Sequence, residues 1–276
     1  MRWTSGRGKS SASVFRFFLA TIGFTWACWV PVVVPMFRVG APAGTVLWML
    51  GVFAPALVAI ALTALEDGRI ALRELLRRVL MCRVSTRWYL FAIAYISAIK
   101  LIGALIHRVT VGYWPQFGHE PLGVMLLATL VSTPVQSGEE IGWRGYALPR
   151  LAESMGFARA SVVLGLVWAG WHLPQFFFIA ADTYRQSFPI WAAQVTALSV
   201  AIAWLYVHTG GSLLLTMLMH AAINNFKDIV PSAVPDPKGV FSLHASRVSY
   251  LTTVLLWIAA TYFLARIPKI ERSTVK

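Results

Sequence analysis

The chain has 276 residues, 58% of them hydrophobic and only 13% charged, yet its formal charge is +13. Soluble domains carry about 25% charged residues, so the composition excludes an ordinary water-soluble enzyme and predicts one integral membrane domain over 1–276. Cys28 lies in an apolar run and Cys82 in a basic stretch, which excludes a zinc-type cysteine cluster and predicts no disulfide.

In chain order, the basic start "MRWTSGRGKSSASVFRFFLA" leads into an apolar run at 15–37. That run is longer than the core of a signal peptide and contains Pro31 and Pro35, so it reads as an uncleaved span. A second span follows at 45–65. The stretch 66–87 is basic and amphipathic and is expected to lie along the inner membrane interface. Further spans read at 88–106, 122–148, 161–180, 189–207, 211–229 and 247–267. Each is near the ~20 residues that cross ~30 Å of hydrocarbon. A Pro-rich loop occupies 230–247. The expected fold is an all-α polytopic transmembrane bundle of about eight helices.

With the N-terminus placed inside, 17 Lys and Arg fall on inner segments and 6 on outer ones, Lys100 lying within the third span. This asymmetry predicts cytoplasmic termini, a cytoplasmic 66–87 segment and an outer 230–247 loop. The basic excess then reads as orientation and anionic-lipid contact, and nucleic acid is excluded as a partner.

Ionisable groups at membrane depth are costly and usually face a cavity. Four sets stand out: Glu139 with Glu140, His172, His220 with Asn224, and Lys100. Adjacent helical residues point about 100° apart, so the two acids face different ways. Glu140 and Arg144 are spaced i,i+4 and are expected to pair. Glu139 has no such partner and is the candidate for a free carboxylate. Gly138 and Gly142 form a GxxxG spacing that admits another helix closely. His220 and Asn224 share one face. Counting from the span ends places Glu139, His172 and His220 together in the inner half of the bilayer. Lys100 is read as snorkelling outward in a structural role.

These residues resemble a known family. "EEIGWR" at 139–144 resembles the EExxxR motif of the CPBP family, which holds the type II CAAX prenyl proteases and their bacteriocin-processing and Abi relatives. "WAGWH" at 168–172 resembles its FxxxH motif, with Trp168 where Phe is usual, and "HAAIN" at 220–224 resembles its HxxxN motif. The three occur in the family's order, within a motif-bearing protease core at 122–229. The resemblance implies an intramembrane endopeptidase, expected in the plasma membrane, with its site open to the cytoplasm. A membrane peptide or protein is the implied substrate, a lipidated C-terminal peptide being the best-known type. It assigns water activation to Glu139 with His172, oxyanion stabilisation to His220 and Asn224, and support of the site to Glu140 and Arg144.

The chemistry is coherent without the family. Amide hydrolysis needs a base for water and donors for the oxyanion, and Glu139, His220 and Asn224 are of the right types. A metal-free site is favoured. The rival is a zinc site ligated by His172, His220 and Glu139, which would leave Glu140 as base while paired to Arg144. Two other readings remain: a non-proteolytic immunity or regulatory scaffold of the same fold, and a transporter. The absence of an internal repeat with broken helices speaks against the transporter.

Overall fold

In a computed structural model, residues 7–232 and 239–267 are described, and their regular structure is all helical, with no strand among them. The helices are α1 (Arg7–Val33), α2 (Ala41–Leu62), α3 (Gly68–Val79), α4 (Thr86–Val111), α5 (Leu122–Ser132), α6 (Ser137–Glu140), α7 (Leu148–Trp171), α8 (Phe188–His208), α9 (Leu213–Phe226) and α10 (Arg247–Arg266). The extreme termini and residues 233–238, on which part of the topology expectation falls, lie outside the described residues.

Helix boundaries follow local chemistry. Ser187, Ser212 and Ser246 precede α8, α9 and α10, and their hydroxyls accept from the N–H three residues on, which satisfies a donor the helix leaves free. α4 stops at Gly112, whose left-handed backbone (φ 91°) suits glycine.

Six helical stretches among the described residues are long and apolar enough to cross a membrane. The expected count of about eight reduces to this for two reasons. One stretch, Leu122–Phe177, is 56 residues long, about 84 Å of helix, more than twice the hydrocarbon thickness. It reverses at Gly156, where φ is 78° and ψ 157°. The rings of Trp143 and Trp171 meet at 5.8 Å across the resulting hairpin, so its arms run side by side. The other reason is α9, which has only 14 residues. It is buried along nearly its whole length among the other helices. α8 is central, with 61% of its most apolar window buried against 28% for α1.

Leucines such as Leu19, Leu105 and Leu127 are exposed on the outer helices, as lipid contact requires. α3 is amphipathic, with Leu75 buried and Ile70 exposed, and Leu75 would touch a Cβ at Gly145. Cys28 is buried and Cys82 exposed, both as free thiols.

Candidate active site

The site is assembled on the Gly156 hairpin and completed by α9. The first arm carries Glu139 and Glu140 at the end of α6, followed by a π-helical turn, Ile141–Ala147. Wide turns of this kind cluster at functional positions. The arm is held against α2 by glycines. A Cβ at Gly142 would sit 2.5 Å from Pro55, and one at Gly138 would sit 3.1 Å from Phe53. The second arm ends at His172, where α7 passes into a 3-10 turn, Leu173–Phe177.

The two acids point apart. Glu140 and Arg144 are both fully buried, and Arg144 Nη1 donates to Glu140 Oε1 at 2.8 Å. His220 Nδ1 reaches the same oxygen at 2.9 Å. Because a carboxylate accepts, Nδ1 carries a proton, and in the neutral ring Nε2 is left as an acceptor. The guanidinium carbon of Arg144 lies 4.3 Å above the Trp168 ring, a cation–π contact strengthened by the absence of water.

Glu139 is 7% exposed and faces a cavity of about 670 Å³. Its Oε2 accepts the indole N–H of Trp168 at 2.6 Å. His172 Nδ1 lies 2.8 Å from the Trp168 carbonyl. A carbonyl only accepts, so Nδ1 donates and the neutral ring keeps its Nε2 lone pair. Trp168 therefore braces both residues, and its ring also meets His220 edge-on at 5.3 Å.

Glu139, His172, His220 and Asn224 all line this one cavity. Asn224 is exposed within it, whereas the next residue, Asn225, ties α9 to Ser132 Oγ at 3.0 Å. Neither Glu140 nor Arg144 is among the lining residues. Trp168 walls the cavity, while Trp143 and Trp171 are fully buried behind it. Among the described residues no three His, Cys, Asp or Glu side chains are placed to hold a metal ion.

Two features had no signature in the sequence. One is the Trp168–Glu139 hydrogen bond, which the usual phenylalanine is unable to make. The other is the direction of the cavity. Glu139 and His172 each sit 16 or 17 residues from Gly156, about 25 Å along their arms, not close to the hairpin end. From them the cavity runs away from Gly156 to Ala180–Thr183, Gln186, Lys227, Asp228 and Ser232. Lys100 also lines it, with Nζ donating to Ser232 Oγ at 2.6 Å and to the Val230 carbonyl at 3.3 Å.

Comparison with known proteins finds likeness over part of the chain. Residues 119–226 match the family model of the type II CAAX prenyl endopeptidases, described as Rce1-like. That segment holds all three motifs. The chain is also similar to the CAAX prenyl protease 2 of Methanococcus maripaludis, 28% identical over 116 residues. The match covers 39% of this chain and 41% of that protein's length.

Proposed function

We propose that the protein is an intramembrane endopeptidase that hydrolyses a peptide bond of a membrane-associated substrate by direct attack of water. One observation carries the reading: a carboxylate, two imidazoles and a carboxamide, drawn from three helices, line a single cavity in an otherwise apolar bundle. The family match supports it.

In this mechanism the Glu139 oxygen not engaged by Trp168 takes the proton from water as the water attacks the scissile carbonyl. The lone pair on His172 Nε2 holds the water for attack. Negative charge then develops on the carbonyl oxygen and needs donors. Asn224 supplies them with its amide N–H groups. His220, held through Nδ1 by Glu140, donates from Nε2 when its ring carries both protons. The proton on Glu139 passes to the leaving amine as the tetrahedral intermediate collapses. Glu140 and Arg144 keep His220 in place without touching substrate. The site needs no metal in this reading.

Protein reconstituted in lipid vesicles, incubated with a farnesylated C-terminal CAAX peptide and with unlipidated membrane peptides, tests the proposal. Mass spectrometry of the products reads it out. The expected result is a new peptide end formed by the native protein and not by Glu139→Gln. Cleavage that persists undiminished in Glu139→Gln overturns the mechanism.

A further inference from the structure

α3 is a strap across one end of the bundle. The chain turns into it at Gly68, whose backbone (φ 82°) breaks with the helix before it. Its partners sit near the ends of other helices. Asp67, just before it, pairs with Arg150 near the start of α7, and Glu66 pairs with Arg16 of α1 at 3.0 Å. Arg78 donates to the hydroxyl of Tyr206, near the end of α8, at 2.9 Å. Ser212, which caps α9, donates through Oγ to the Met81 carbonyl at 2.6 Å. In the middle of the strap Leu75 is buried, and a Cβ at Gly145 would sit 2.7 Å from it. Gly145 follows Arg144 in the π-helical turn, so α3 backs directly onto the residues that hold Glu140.

The two edges of α3 differ in charge. Toward the first arm, Glu74 and Arg78 line a cleft of about 320 Å³ together with Asp67, Arg150 and Glu153. There acids and arginines answer one another, as Arg78 and Glu74 do at 3.4 Å. Steps of about 100° put Arg69, Ile70, Arg73, Leu76, Arg77 and Leu80 on the opposite arc, roughly 120° wide. All six are exposed, Ile70 by 87% and Leu80 by 78%, and no acid is among them. Arg77 is tied to Glu74 at 2.9 Å. Arg69 and Arg73 have no carboxylate within ion-pair distance among the described residues.

Water suits neither half of this face. Isoleucine and leucine gain by leaving it, and unmatched guanidinium groups gain by meeting phosphate oxygens. A bilayer surface offers acyl chains and phosphates side by side.

We propose that the outer face of α3 binds anionic phospholipid headgroups through Arg69 and Arg73, with Ile70 and Leu80 at the acyl boundary, and that this binding seats the strap on the π-helical turn and so supports the site. The effect on cleavage rests on the proteolytic reading, whereas the binding does not.

Purified protein in a neutral detergent, titrated with short-chain phosphatidylglycerol and separately with short-chain phosphatidylcholine, tests the binding through its melting temperature. Phosphatidylglycerol should raise the melting temperature, as a ligand of the folded state does, and phosphatidylcholine should raise it less. In Arg69→Gln/Arg73→Gln the phosphatidylglycerol needed for the same rise should increase about ten- to thirty-fold. Both side chains are exposed and outside the described ion pairs, so the variant should fold. Arg185→Gln/Arg247→Gln removes the same charge from exposed positions elsewhere and should keep the native response. Equal rises with the two lipids, or an undiminished response in Arg69→Gln/Arg73→Gln, overturns the proposal. An equal rise with soluble polyglutamate would mark the face as one for an acidic protein and overturns it too.

The coupling is read in vesicles, with a peptide that the native protein has been shown to cleave. Cleavage should be faster in phosphatidylcholine vesicles containing phosphatidylglycerol than in those without it, and Arg69→Gln/Arg73→Gln should lose that acceleration. Identical native rates in the two lipids overturn the coupling. Absence of cleavage in every lipid counts against the proteolytic reading, and the melting response still decides the binding.

Discussion

Glu139 and Glu140 are neighbours in the chain and opposites in their surroundings. Glu140 is sealed from solvent, and one of its oxygens takes hydrogen bonds from both Arg144 and His220. Glu139, one helical step round, faces the cavity and accepts a hydrogen bond from a neutral indole. A carboxylate that is to move a proton needs an oxygen open to the reacting centre. A carboxylate that is to hold an arginine and a histidine in place needs neither solvent nor substrate. In the proposed mechanism one residue type serves both purposes because the helix turns it through about 100°.

The contrast breaks most visibly at Glu139. Glu139→Gln is nearly isosteric and removes only the base, so peptide cleavage should fall by about 10² to 10⁴. The melting temperature in detergent should stay near that of the native protein. If Glu139→Gln remains active while a stable Glu140→Gln is dead, the two roles are exchanged.

Glu140→Gln and Arg144→Gln should instead unfold the protein more easily. Each leaves a buried charge without its partner, a loss of about 3–5 kcal/mol, measurable as a lower melting temperature and lower membrane abundance. The double variant should be less damaged than the sum of the singles, since it strands no charge. Additive losses would show that the pair is not coupled.

Trp168→Phe sharpens the comparison by deleting the only hydrogen bond described for Glu139 while keeping an aromatic ring against both histidines. Hydrogen bonds to charged groups contribute about 1.5–3 kcal/mol, so kcat should fall by roughly ten-fold or more with KM little changed. An unchanged kcat would mean that the indole N–H positions nothing.

The smallest expected effect is none at all. Treatment with a chelator should leave cleavage intact. About one zinc per chain by elemental analysis, with activity lost on removal and restored by zinc, would make Glu139 a ligand and end the division of roles.

Much of this arrangement was legible in the residues. Apolar runs of membrane length marked most of the helices, and ionisable groups within them marked Glu139, His172 and His220, which line one cavity. The i,i+4 spacing of Glu140 and Arg144 anticipated their ion pair, and the Gly138/Gly142 spacing anticipated the close approach of α2. What escaped depends on geometry that residue type does not encode. A tryptophan looks alike whether it packs or donates, so the role of Trp168 was invisible. Depth counted from span ends assumes straight helices that begin at the membrane surface. The second arm instead starts directly after Gly156, with no loop, which moves Glu139 and His172 away from the hairpin end. The shortness of α9 was hidden because the span read at 211–229 took in Gly211 and Ser212 before the helix and the turn Lys227–Ile229 after it.

The single-residue turn at Gly156 also bears on how the protein is made. Glu139, Trp168 and His172 sit on the two arms of one hairpin, so the half of the site proposed to activate water can form as soon as that hairpin has entered the bilayer. His220 and Asn224 arrive only with α9, two helices later in synthesis, when the His220–Glu140 contact closes the cluster. Until then the nascent chain carries a base with no donors for the oxyanion. Under the proposed mechanism a half-inserted chain is thereby inert, and competence is postponed until the bundle is complete.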